Sequence, residues 1–212
     1  MNVSSNTLFH FTNSLINLEN ILDTKFKLTF CKEVYVLNNR VYSEYYPMIS
    51  FCDIPLSLAK DHIKKYGSYA IGLDKNWGIS NKLNPVIYLE NNSVISKDIQ
   101  DSFASTSKIL DSLTKIQEIK AEAIKDDFEK LINNTKQNIY ANLNVHRYIK
   151  NYSGDLTRNN KTIKNYRFYD EREWRYVPTF KHNIIKSTLN EADYIKYRGT
   201  GKKKPLIDIF GA

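Results

Sequence analysis

From Val86 through Ser153 the chain contains neither glycine nor proline. No other feature limits the fold as much, because the residues that punctuate turns and stop helices are missing from so long a stretch. Within it Ile99, Phe103, Ile109, Leu110, Leu113, Ile116, Ile119, Ala123, Ile124, Phe128 and Leu131 are separated mostly by three, four or seven positions. That spacing lines one face of an amphipathic helix. The pattern predicts a helical insertion over residues 96–150: a long helix to about residue 133, a break at Asn133-Asn134, and a shorter helix to about 150. A helical hairpin packed on its own domain is favoured over a coiled-coil surface for a partner.

The flanking segments have another character. LFHF at 8–11, VYVL at 34–37, MISFC at 48–52, YAIGL at 69–73 and PVIYL at 85–89 are short aromatic and β-branched runs, which favours strands. Leu15, Leu18, Ile21 and Leu22 carry helical spacing over Ser14 to Leu22. A second helix is expected over Ile54 to Tyr66, stopped by Gly67. Tyr166 to Val177 (YRFYDEREWRYV) reads as one strand, with Glu171, Glu173 and Arg175 on one face. Arg172, Trp174 and Tyr176 then take the other, and Trp174 argues that this second face is the buried one. The 212 residues make a single α+β domain of ordinary size, 1–212, with 96–150 inserted in it.

Composition excludes several classes. Hydrophobic residues at 42% and charged residues at 25% rule out wholesale disorder. No run of apolar residues is long enough to span a membrane. The start, MNVSSNTLFHF, lacks the basic and apolar regions of a secretory signal, and two cysteines cannot make a disulfide framework. A reducing cytoplasm is the expected compartment. The net charge of +8 is uneven: residues 150–212 hold 14 Lys/Arg and 7 Asp/Glu, and residues 1–149 hold 17 and 16. A basic end, including a mobile RGTGKKKP loop at 198–205, attracts polyanions such as nucleic acid or a dinucleotide, or else is a solvated surface.

No phosphate-binding glycine loop, dinucleotide fingerprint or serine-hydrolase elbow is present. His10, His62, His146 and His182 have no metal-site spacing, so no metal is expected, and nothing marks Cys31 as half of a nucleophilic pair. Three positions remain. His10, alternating with Phe9 and Phe11, can face a cleft while they face the core; a neutral imidazole donates one hydrogen bond and accepts another, which suits a ribose hydroxyl. Glu171 and Glu173 form an acidic pair whose like charges need cations or a substrate beside them, with Arg172 and Arg175 near at hand. Tyr66 and Tyr69 flank Gly67 near Ser50, where rings either stack a flat heterocycle or pack the core.

Taken in order, HFT, MISFCDIPLSLAKDHIKKYGSYAIGLDKNWGI, LNPVIYL and DEREWRYVP resemble the ADP-ribosyltransferase superfamily and, more closely, the AbiGi family of abortive phage-resistance proteins, which is named as an antitoxin. The resemblance covers residues 8–89 and 166–178. It implies a split β-sandwich around a cleft for NAD, consumed as a substrate. On that resemblance His10, with Thr12 beside it, positions the ribose on the adenosine side; Ser50 stands at the second element, followed by Phe51 rather than a full Ser-Thr-Ser. Glu173 is the catalytic carboxylate and Glu171 the leading acid. Tyr66 or Tyr69 stacks nicotinamide, and Arg175 joins the cofactor-binding set. The acceptor would be nucleic acid or protein. The alternative is a catalytically silent antitoxin or sensor of the same fold, acting on a cognate toxin partner through its helices. Related proteins continue with a further strand after the position of LIDIF, so a shortened chain is expected.

Overall fold

The aromatic and β-branched runs become strands, and the longest of them organises the rest. The computed structural model describes residues 5–117, 125–158, 161–178 and 189–199. In chain order these hold β1 (Thr7–Thr12), α1 (Leu15–Thr24), β2 (Thr29–Leu37), β3 (Arg40–Cys52), α2 (Lys60–Tyr66), β4 (Tyr69–Asp74) and α3 (Lys75–Ser80). Then come β5 (Asn84–Pro85), β6 (Ile87–Leu89), α4 (Val94–Gln117), α5 (Lys125–His146), β7 (Ile149–Asn151), β8 (Gly154–Arg158), β9 (Lys161–Tyr166), β10 (Glu173–Tyr176) and α6 (Glu191–Gly199). The architecture is mixed α and β, with one main antiparallel sheet in the order β4-β1-β3-β10-β5 and β2 paired to β3.

Strand β3 serves two partners in succession. Its first part pairs with β2 from Leu37↔Arg40 to Thr29↔Met48. Asn38 and Asn39 close that hairpin at φ 44° and 64°, the left-handed conformation that a two-residue turn demands. Its last part pairs with β10 on one edge, Ile49 to Cys52, and meets β1 on the other at Phe9↔Cys52. Ser50 therefore falls in the interval between the β2 and β1 ladders. Gly67, expected as a stop, ends α2 at φ 110°, where a Cβ would lie 2.2 Å from the Thr12 carbonyl oxygen. Only glycine fits there.

Two apolar clusters back the sheet. One joins Leu8, Phe26, Leu28, Ile49, Phe51 and Leu83; the other joins Tyr35, Leu37, Met48, Leu89, Ile149 and neighbours, with Ile99 of the insertion against it. Helix α4 packs along α5 and over β2, as a hairpin lying on its own chain. The insertion leaves and returns through β6 and β7, which pair in parallel from Ile87↔Ile149 to Leu89↔Asn151.

The structure corrects four expectations. Helix α5 runs straight through Asn133-Asn134, because two asparagines cost a helix little when good formers flank them. Residues 118–124, with Ile119, Ala123 and Ile124, lie outside the described residues. Helix α5 stops at His146, so Lys150, expected in the insertion, lies on β7. The run 166–177 is not one strand. β9 ends at Tyr166, a 3-10 turn spans Phe168–Glu171, and Arg172 at φ 44° resets the alternation before β10. Burial is also reversed: Glu173 and Arg175 are buried, and Trp174 and Tyr176 only half-buried. Charge can be the inner face here because every charge on it has a partner, as shown below. His182 and residues 200–205 of the basic loop lie outside the described residues. No described helix is long and apolar enough to cross a membrane.

Candidate functional site

Because directly opposed residues on neighbouring strands share a face, Phe9, Cys52 and Glu173 point to one side of the sheet and His10 to the other. His10 shares its side with Leu8 and Thr12, and its ring packs on Phe26 and Phe51 at 5.2 and 5.6 Å. The expectation that Phe9 and Phe11 alone face the core is thus corrected: they pack on the small Cys52, Ile54 and Ala59 cluster while His10 touches the larger one. The imidazole still reaches the interval in the sheet. Its Nδ1 lies 2.8 Å from the carbonyl oxygen of Ser50, so Nδ1 carries the proton and Nε2 is left as an acceptor. Burial lowers the His10 pKa, against the opposing pull of that hydrogen bond, and keeps the ring neutral.

Ser50 holds the other side too. Its hydroxyl donates to Glu173 Oε1 at 2.7 Å. One residue thereby joins the amino-terminal imidazole to the distant carboxylate, its carbonyl taken by the first and its hydroxyl by the second. His10, Thr12, Ser50, Tyr66, Glu171 and Glu173 all line one open cleft of about 1160 Å³. Tyr69 does not; it stands 38% exposed at the end of β4. Arg175 is wholly enclosed behind Glu173. Tyr66 lines the cleft, but its ring stacks on His62 at 4.3 Å and its hydroxyl donates to Glu171.

The acidic pair is heavily partnered. Lys150 Nζ donates to Glu171 Oε2 and to Glu173 Oε2, each at 2.8 Å. Arg175 gives Nε to Glu173 Oε1 at 2.7 Å and Nη2 to Oε2 at 3.1 Å, and its Nη2 also meets Glu33 Oε2 at 2.7 Å. Glu173 therefore accepts four hydrogen bonds, which occupies the lone-pair positions a carboxylate offers. Its own N–H donates to the Tyr88 hydroxyl at 2.8 Å, fixing the strand end. Burial alone would raise the Glu173 pKa; Arg175 and then Lys150 override it and hold the carboxyl well below its ordinary range. Three carboxylates, Glu33, Glu171 and Glu173, face two cations, Lys150 and Arg175, leaving one negative charge in the cleft wall.

A family model described as "Putative abortive phage resistance protein AbiGi, antitoxin" matches residues 24–204. The chain belongs to the AbiGi family. It is 29% identical to "Abortive phage resistance protein AbiGi" of Lactococcus lactis subsp. cremoris, over 71% of this chain and 58% of that relative. The AbiGi chain thus spans less than two thirds of its relative's length. No solved structure matches it.

Sequence reasoning missed Lys150, Glu33 and Tyr88. None carries a signal: each is an ordinary residue in a Lys-, Glu- and Tyr-rich chain, and only the register of β7, β2 and β6 brings it to the acidic pair. Of the basic end, Lys150 and Arg175 lie inside the charge cluster, and Lys164 and Arg167 pair with Asp155 and Asp170; Lys181, Lys186, Lys202, Lys203 and Lys204 lie outside the described residues. Cys31 and Cys52 are free cysteines. Burial, then neighbouring acids, push Cys52 up to about 12, and burial raises Cys31, so both remain thiols. Among the described residues no cluster of His, Cys, Asp and Glu is arranged to hold a metal ion.

Proposed function

We propose that this AbiGi chain acts in abortive phage defence as an ADP-ribosyltransferase-like module that takes NAD into the cleft and passes its ADP-ribose to a macromolecule. The observation that carries the reading is the Ser50 bridge: His10 and Glu173, predicted to meet around one sugar, are held by the same residue from opposite faces of the sheet, and both line one cleft. The interval between the β1 and β2 ladders supports the split β-sandwich reading. A cleft of this volume accepts a dinucleotide.

The chemistry follows from the groups. As the C1′–N bond to nicotinamide breaks, its electron pair leaves with the nicotinamide and positive charge grows on the ribose. The Glu173 carboxylate and the surplus negative charge of the cluster favour that charge where it appears. The neutral His10 accepts a hydrogen bond from a ribose hydroxyl at Nε2 and so positions the sugar. The acceptor nucleophile bonds to C1′ and yields its proton to Glu171. Nicotinamide release by the purified chain, offered DNA, RNA and protein acceptors, tests this. Glu173→Gln is expected to cut release at least about a hundredfold. Unchanged release removes Glu173 from the mechanism.

A second reading, a catalytically silent antitoxin that binds a cognate toxin, is favoured by the saturation of Glu173 and by the family description. Absence of both NAD binding by calorimetry and nicotinamide release would leave that reading standing.

A further inference from the structure

Among the described residues, Lys150 alone forms ion pairs with both members of the acidic pair. Its side chain is 14% exposed, and its ammonium lies 5.1 Å from the Phe168 ring. Its backbone is fixed on both sides. Ile149 is fully buried, and the Asn151 amide clamps Val36, accepting from its N–H at 2.7 Å and donating to its carbonyl at 2.8 Å. The ammonium is therefore delivered to one place by a rigid strand rather than swept through solvent on a loose stem.

The two carboxylate oxygens it bridges lie no more than twice 2.8 Å apart. At that separation, and buried, two bare carboxylates do not both stay ionised at neutral pH; one holds a proton. Arg175 relieves only one of them: it pairs with Glu173 and Glu33, and no hydrogen bond or ion pair joins it to Glu171, so without Lys150 it is Glu171 that is left to hold the proton. Among the described residues Glu33 also acts on the ammonium, and the hydroxyls of Tyr66, Tyr88 and Tyr166 near it carry no charge to offset.

We propose that Lys150 is a positioning residue: it allows Glu171 and Glu173 to stand side by side as carboxylates, so that one can face a sugar cation while the other takes a proton. This deepens the transferase reading and rests on it for its purpose, though not for its chemistry. Burial alone would discharge Lys150, but Glu173, Glu33 and Glu171 hold its pKa well above the ordinary value. The ammonium is a permanent charge at any pH the cell meets. A strut of neutral shape would pack equally well on Phe168, yet would leave the pair to share a proton.

The test follows side-chain carboxyl carbons by NMR in the full chain labelled with 13C-glutamate, from pH 5 to 9, with Glu171→Gln and Glu173→Gln as assignments. In the unaltered chain the Glu173 carbon is expected to stay still. In Lys150→Met one carboxyl of the pair is expected to titrate inside that range, a rise in its proton affinity of roughly tenfold to a hundredfold. Lys150→Arg restores the still spectrum. A folded Lys150→Met chain with no titrating carboxyl overturns the proposal. Should that variant not fold, a Glu173 carbon that titrates in the unaltered chain or in Lys150→Arg overturns it equally. No NAD enters the measurement, so failure of NAD turnover sinks the transferase reading and leaves this one intact.

Discussion

Replacing Arg175 by methionine removes the most connected cation among the described residues while filling much of its volume. The guanidinium is fully buried and makes four hydrogen bonds: two to Glu173, one to Glu33 at 2.7 Å and one to the Arg147 carbonyl at 2.8 Å. Glu33, whose side chain is 15% exposed, then faces the interior without its cation, and Glu173 keeps only Lys150 and Ser50. Breaking a buried pair by deleting one partner costs about 3–5 kcal/mol, because the surviving charge stays desolvated. The orphaned Arg147 carbonyl adds about 1 kcal/mol. Urea unfolding at pH 7, followed by the fluorescence of Trp77 and Trp174, should show a loss of about 4 kcal/mol for Arg175→Met. Adding Glu33→Gln should return at least about 1 kcal/mol by removing the stranded charge. The sign with pH separates charge from packing. In the unaltered chain Glu173 is held below its ordinary range, so its contribution is present above that range and lost as pH falls through and below it. In the variant a stranded carboxylate is relieved by protonation, so the gap between the two proteins should narrow from pH 7 to pH 5. A loss under about 1 kcal/mol, or a gap that does not change with pH, would refute the reasoning.

Trp174→Ala should cost about 2 kcal/mol, less than Arg175→Met, since the indole is only half-buried against the first cluster; the reverse order in urea midpoints would contradict the assigned strand faces. Gly67→Ala should be among the most damaging small changes, because its Cβ would sit 2.2 Å from a backbone oxygen at φ 110°; a melting temperature within two or so degrees of the unaltered chain would mean the turn is not as described. Burial lowers the His146 pKa to about 4, so the unfolded chain takes up a proton on cooling the pH through about 6.5 that the native chain refuses. Stability is therefore lost between about pH 6.5 and 4, and His146→Gln should remove up to about 3 kcal/mol of that fall, measured as unfolding free energy against pH.

The parts of this molecule that announce themselves in the sequence are those where composition and local geometry agree. LFHF, MISFC and YAIGL are strands because their residues suit a pleated, half-buried surface, and Gly67 ends a helix because no other residue fits. His10, Ser50, Glu171 and Glu173 could be singled out from residue type and order. Their mutual distance could not, since it depends on β3 exchanging one neighbour for another at Ser50. The phase of Glu171 was hidden because Arg172 adopts a left-handed conformation that nothing in DEREW signals. Lys150 was hidden because the absence of glycine and proline continues past the end of α5, so the passage from helix to strand has no punctuation.

Strands β6 and β7 carry a last consequence. Parallel neighbours cannot be joined by a tight turn, so α4 and α5 are themselves the crossover, and their two roots stand one strand spacing apart. The near ends of the arm share the core of the body, through Ile99 and His146, so only its far end can change in length while the returning thread still sets its lysine on the same rung.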